Sequence, residues 1–372
     1  MDKIRYGLIG AGQIAYSASK QINDCPASEA YGATDFNAER LQKLCTEREI
    51  PNSYETTEAL LADKNIDAVY IAVPNKFHAS LAIQALEAGK HVILEKPFAM
   101  NAAEAQEVAT AAEKSGKLFT LGMNQRFTEK HQKIVALARE GIFGEIYHAK
   151  AFWNRRAGIP SIGTWFGKKE LAGGGCLNDI GVHFLDLCLY ALNRFDAVSV
   201  YGATYTKFGN RGLGDGNWGI SDKTETVFDV EDFASAIIRF EDGLTVTLDA
   251  SWACHQETSS REGVHLFGTE AGADVAAAKV FRDDPIREDY DVIDNVKAEI
   301  KYPHCSRFDN LTNAILGKEE LCVTLPQAIA VQKILDAIQQ SSISGHEVFI
   351  DQDAPSSSAQ ETSSQILNPV NP

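Results

Sequence analysis

The chain is short of positive charge, of paired cysteines and of long apolar runs, and each shortage excludes a class of protein. Its 35 lysines and arginines stand against 51 aspartates and glutamates, a formal charge of -16. Such a surface repels phosphate backbones and anionic bilayers, so neither a nucleic-acid nor a membrane partner is expected. Seven cysteines are scattered from Cys25 to Cys322 without a Cys-x-x-Cys pair; no disulfide framework, zinc cluster or other metal site is expected. No apolar stretch approaches the roughly 20 residues of a membrane span. Residues 1–6 run into a strand pattern without the charged-then-apolar layout of a signal peptide, and a reducing cytoplasm is the expected location. What is there is a 372-residue chain of ordinary apolar content, 44%, long enough for two domains with full cores.

Strand and helix patterns alternate through residues 1–123, which predicts a doubly wound parallel sheet. An apolar strand at residues 4–9 leads directly into Gly10-Ala-Gly12-Gln13-Ile14-Ala15. In this Gly-x-Gly-x-x-Ala spacing the first glycine permits a tight turn and the second lets backbone approach a pyrophosphate. The small third residue allows close helix–strand packing. A second strand, about residues 29–34, ends in Asp35, 23 residues beyond Gly12. A carboxylate there accepts from ribose hydroxyls and repels a 2′-phosphate, and no arginine directly follows it, so NAD is expected in preference to NADP. The bland reading of Asp35 is a turn residue at a strand end. Strands at 66–73 and 91–97 bring Pro74, Asn75, Glu95 and Lys96 to carboxyl ends, where such sheets bind ligands. Lys96 is then either a solvated strand end or an ammonium that polarises the reacting oxygen.

A second cluster lies at residues 171–187. Gly173, Gly174 and Gly175 give a backbone free to pass close to a ligand, and the segment after them reads as a helix carrying Asp179 and His183 four residues apart. A carboxylate on the same face orients an imidazole that exchanges a proton with substrate. The competing reading is an N-cap at Asn178 or Asp179 followed by a buried histidine. Together Gly10-Ala-Gly12, Val73-Pro-Asn-Lys-Phe-His78, Ala88-Gly-Lys-His-Val-Ile-Leu-Glu-Lys-Pro97 and Gly173-Gly-Gly-Cys-Leu-Asn-Asp-Ile-Gly-Val-His183 resemble the motifs of the family containing glucose–fructose oxidoreductase and inositol dehydrogenase. The resemblance runs to about residue 350. It implies an α/β protein with an N-terminal Rossmann domain at 1–123. A C-terminal α/β domain follows at 124–350, with a large, mainly antiparallel open sheet for substrate binding and assembly into a homodimer or homotetramer. It further implies that Lys96, Asp179 and His183 converge on the substrate hydroxyl. The cofactor candidates are Gly10, Gly12, Gln13, Ile14, Asp35, Pro74, Asn75, His78, Glu95, Lys96 and Asn124.

Asn124 marks the crossing into the second domain. A strand at 144–153 ends in Asn154-Arg155-Arg156, and Arg156 is a candidate clamp for an anionic substrate group or, equally, a partner for surface acids. The glycine-containing loop that leads to Trp165 is a candidate wall over the site. A single strand is expected at 274–281, and the resemblance makes Val246, Leu248 and Val264 candidates for a subunit interface. Residues 351–372, rich in Ser, Gln, Asn and Pro, are expected to form a disordered tail. The expected activity is oxidation of a secondary hydroxyl of a sugar, sugar derivative or cyclitol, with His183 as base, Asp179 orienting it and Lys96 on the oxygen. A glycosidase using transient oxidation and a dinucleotide-binding sensor without turnover are the competing readings. Intact Lys96, Asp179 and His183 argue against the sensor.

Overall fold

A computed structural model describes residues 3–350 except 219–220, 222–223, 225–226, 285, 287–288 and 295. The tail expected at 351–372 lies outside the described residues. Six strands, β1 (Ile4–Ile9), β2 (Ser28–Thr34), β3 (Asn52–Tyr54), β4 (Ala68–Ile71), β5 (His91–Leu94) and β6 (Phe119–Leu121), pair in the order β3-β2-β1-β4-β5-β6. All pairs are parallel. Helices α1 (Gln13–Asp24), α2 (Ala38–Arg48), α3 (Thr57–Ala62), α4 (His78–Glu87) and α5 (Ala102–Ser115) connect them. The central strands are covered on both faces, which is why β4 reads Ala-Val-Tyr-Ile with every side chain buried. Strand order reverses between β1 and β4, and that reversal opens a crevice at their carboxyl ends.

The second layer begins with α6 (Glu129–Arg139), β7 (Ile146–Arg155), α7 (Lys169–Ala172) and α8 (Val182–Leu192), and continues through β8 (Ser199–Tyr205), β9 (Phe233–Arg239), β10 (Thr245–Ser251) and β11 (Ser260–Gly268). After them come β12 (Gly272–Asp274), β13 (Lys279–Asp284), β14 (Asp289–Ile293), α9 (Arg307–Ile315), α10 (Leu325–Ser344) and β15 (Val348–Phe349). Nine strands pair in the order β14-β13-β12-β11-β7-β10-β9-β8-β15. Among the described residues, only the β7–β10 pair of this sheet is parallel. Two expectations are corrected here. The strand expected at 274–281 is a hairpin, because the chain turns between β12 and β13 with Ala278 at φ 54°. Val246, Leu248 and Val264 are 0–1% exposed and belong to the covered face, where Gly181 lies close under the Ala250 methyl. Period-two alternation sends Tyr201 and Ile237, paired across β8 and β9, to the other face, where both are exposed.

The two layers are tied by side chains far apart in sequence. Just beyond Asn124, Arg126 forms a bidentate pair with Asp186 of α8 (2.8 and 2.6 Å), with the remaining amine on Cys322 O and Gln327. The Arg126–Asp186 pair is buried, so loss of one partner leaves an uncompensated charge worth about 3–5 kcal/mol. Helix α9 returns to the first domain and inserts Phe308 edge-on against Tyr70 (5.3 Å). Helix α10 reaches it through Asp336, which accepts from Ala102 N at 2.7 Å.

Candidate active site

The crevice is a cavity of about 1870 Å³ lined at one end by Gly10, Gly12, Asp35 and Arg40, in the middle by Glu95, Lys96 and Asp179, and at the other end by Pro160, Ser161, Trp165, Asn217 and Trp218. Gly10 sits at φ +105°, and a Cβ there would lie 2.2 Å from Ala72 O, so only glycine makes this turn. Gly12 precedes α1 with nothing within 4 Å of where its Cβ would stand. That open space in front of a helix N-terminus without acidic first-turn residues fits a pyrophosphate.

At the centre, Lys96 Nζ donates to Asp179 Oδ1 (2.8 Å) and to Asp179 O (2.7 Å). The other carboxylate oxygen, Oδ2, accepts from Trp252 Nε1 at 2.8 Å. Burial pushes the Asp179 carboxyl up, but the Lys96 charge and these hydrogen bonds outweigh it and hold it below the usual range. Asp179 makes no hydrogen bond to His183. The residues Leu177–Gly181 form a π-helical turn before α8. His183 instead packs its ring 5.9 Å from Trp153, with Nδ1 buried and unpartnered. Burial, then the nearby Lys96 charge, lowers its pKa from 6.5 to about 3, so it is a neutral imidazole at physiological pH. Among the described residues lining the cavity, Lys96 and Asp179 appear and His183 does not.

Residues 4–123 match the family described as "Oxidoreductase family, NAD-binding Rossmann fold", and residues 131–274 match the GFO/IDH/MocA C-terminal domain. The chain belongs to the Gfo/Idh/MocA oxidoreductases. It is 31% identical to D-glucoside 3-dehydrogenase of Escherichia coli (strain K12) over 93% of this chain and 97% of that one. It is 29% identical to levoglucosan dehydrogenase of Pseudarthrobacter phenanthrenivorans over 68% and 69% respectively. A solved levoglucosan dehydrogenase in complex with NADH and levoglucosan shares the fold, with a TM-score of 0.80 at 23% identity over 94% of this chain and 100% of that one.

In this Gfo/Idh/MocA chain the cofactor candidates divide into two groups. Gly10, Gly12, Gln13, Ile14, Asp35, Pro74, Asn75, His78, Glu95 and Lys96 all line the cavity. Asn124 does not; it is exposed in the turn after β6. Several of the lining residues are already engaged. Asp35 accepts from Ala11 N (2.7 Å) and Asn37 N (2.8 Å). Asn75 donates to Ala172 O, and His78 bridges Val73 O and Pro97 O, so both frame the cavity. Helix α2 also does what adjacency in sequence hid: it carries Arg40 back to 3.9 Å from Asp35. Trp165 lines the cavity, stacked on Phe166 at 3.9 Å. Arg156 turns away, exposed, toward Glu257 O, while its neighbour Arg155 is 9% exposed and lies 4.2 Å over Trp153.

Four contributors escaped the sequence reading. Trp252 holds Asp179. Glu231 Oε1 accepts from Gly175 N (2.7 Å) and Leu177 N (3.0 Å), fixing the start of the π turn. Asp232 accepts from the amides of Lys207, Phe208 and Gly209 and so anchors the loop that leads to Trp218. Arg307 pairs with Glu95 at 2.7 Å while Tyr70 donates to the same oxygen, which steadies the residue before Lys96. Only the Glu-Asp pair ahead of a strand carried any signal, since buried acids at strand starts commonly collect loop amides. The glycines at 173–175 serve packing as well as ligand approach: a Cβ on Gly175 would stand 1.9 Å from Glu231 O.

Proposed function

We propose that the chain is an NAD-dependent dehydrogenase that oxidises a secondary hydroxyl of a sugar or a close sugar derivative. The observation that carries this reading is the Lys96–Asp179 ion pair, 2.8 Å long, inside the same cavity as the Gly10–Gly12 turn. When bound, the nicotinamide supplies a hydride acceptor. Lys96, oriented by the carboxylate and carbonyl of Asp179, donates to the substrate oxygen and favours its alkoxide character. His183, neutral and packed on Trp153, takes the hydroxyl proton as the carbon loses hydride, leaving a ketone, NADH and a proton. Relatives named D-glucoside 3-dehydrogenase and levoglucosan dehydrogenase support sugars as the substrate class. Asp35 supports NAD over NADP through repulsion of a 2′-phosphate, tempered by Arg40. Apolar Tyr201 and Ile237 on the uncovered sheet face support assembly as a homodimer or homotetramer through that sheet. Seven cysteines, all free of disulfides, support a cytoplasmic location.

The test is NADH formation across a panel of sugars, sugar acids and cyclitols, with His183→Asn alongside. The variant should bind NAD normally and lose roughly 10²–10⁴-fold in kcat. Turnover at the wild-type rate would remove His183 from the mechanism. Release of free sugar without net NADH would favour the glycosidase reading instead.

A further inference from the structure

The far end of the cavity is built more firmly than a rim needs to be. Trp218 is 52% exposed yet its indole lies 4.3 Å from the Arg155 guanidinium, whose other side lies 4.2 Å from Trp153. The loop carrying Trp218 is laced to the loop after β7. Gly158 N and Ile159 N both donate to Gly214 O, and Gly216 N donates back to Ile159 O, at 2.9–3.0 Å. Asp215 accepts from Asn217 N and from the Ser221 hydroxyl. Two residues of this rim, Ser161 and Asn217, hold φ of 51° and 56°. Non-glycine residues enter that region at a cost of order 1 kcal/mol and concentrate where a ligand is gripped. Arg155 Nη1 is buried beside the stack without an acceptor, an uncommon state for a guanidinium nitrogen.

The cavity, about 1870 Å³, exceeds the roughly 300–1,000 Å³ typical of a single-ligand pocket, so it has room for a cofactor and a substrate of more than one ring. Trp153 and Arg155, in successive contacts of 5.9, 4.2 and 4.3 Å, stand between His183 and Trp218, so Trp218 is removed from the reacting carbon and is available to a second ring. We propose that Asn217 and Trp218, its indole backed by Arg155, form a subsite for the second ring of a glycoside. The exposed indole stacks on the apolar C–H face of a pyranose, as a rigid amphipathic ring does at low entropic cost. Asn217 binds its hydroxyls, directly or through a bridging water, while Arg155 backs the indole from beneath. This rests on the dehydrogenase reading above, and names the substrate as a two-ring glycoside.

The experiment is calorimetric titration of the NADH-loaded protein with cellobiose, maltose and sucrose, and with the corresponding methyl glucosides, on wild type and Trp218→Ala. Trp218 is a surface residue, so the variant folds, and circular dichroism checks that it does. At least one disaccharide should bind about tenfold or more tightly than its methyl glucoside, and Trp218→Ala should erase that advantage while leaving methyl glucoside binding unchanged. No disaccharide advantage in the wild type, or an equal weakening of one-ring and two-ring ligands in the variant, overturns the subsite. Trp218-dependent disaccharide binding without NADH formation by the NAD-loaded protein would refute the dehydrogenase reading and leave the subsite standing.

Discussion

Replacing Trp252 by Phe separates what holds Asp179 from what Asp179 does. The indole is fully buried and its Nε1 is 2.8 Å from Asp179 Oδ2; phenylalanine keeps an aromatic ring and deletes the donor. A hydrogen bond to a charged group contributes about 1.5–3 kcal/mol, and one pKa unit corresponds to about 1.4 kcal/mol. The Asp179 pKa, now below the usual carboxylate range, should therefore rise by about 1–2 units. Ionised Asp179 anchors Lys96, so activity should fall as pH drops through that pKa. The acid limb of kcat/KM against pH should move upward by the same 1–2 units, with the plateau retained. The stability linkage has the same sign. A carboxyl whose folded pKa is depressed stabilises the native state above its unfolded pKa, and that contribution is lost as pH falls through the folded value. The variant should narrow this window as well as lose packing. An acid limb that stays in place while the melting temperature falls would show that Trp252 only fills space, and the anchoring argument would be wrong.

Three further perturbations follow from the same geometry. Lys96→Met removes a charge that depresses the His183 pKa. The imidazole should titrate above about 3, toward its ordinary value, in a histidine NMR titration, and an unmoved resonance would contradict the coupling. Glu231→Ala strands the buried amides of Gly175 and Leu177 at about 1–3 kcal/mol each. Glu231→Gln should be far milder because one oxygen accepts both, and equal urea midpoints for the two variants would refute this. Arg40→Ala removes the cation nearest Asp35 and should widen the preference for NAD over NADP in cofactor titrations; an unchanged ratio would exclude Arg40 from the nucleotide site.

The sequence by itself determined whatever depends on neighbours a few residues away. Gly10 and Gly12 follow a buried strand because the turn needs a left-handed residue and the helix needs bare backbone. Asp35 and Lys96 fall at strand ends because periodicity locates those ends, and an open parallel sheet puts its crevice there. Tertiary structure decided what links distant segments. Asp179 takes its partners from Lys96 and Trp252, 83 and 73 positions away, and it stands on a π turn that no spacing announces. Glu231, 56 positions from Gly175, is a cap only because the chain entering β9 is laid beside the π turn. The choice between adjacent arginines shows the physical reason most directly. A strand has a period of two, so once pairing with β10 and β11 fixes the register of β7, Arg155 goes under Trp218 and Arg156 goes to solvent. That register is set by hydrogen bonds to strands nearly a hundred residues away.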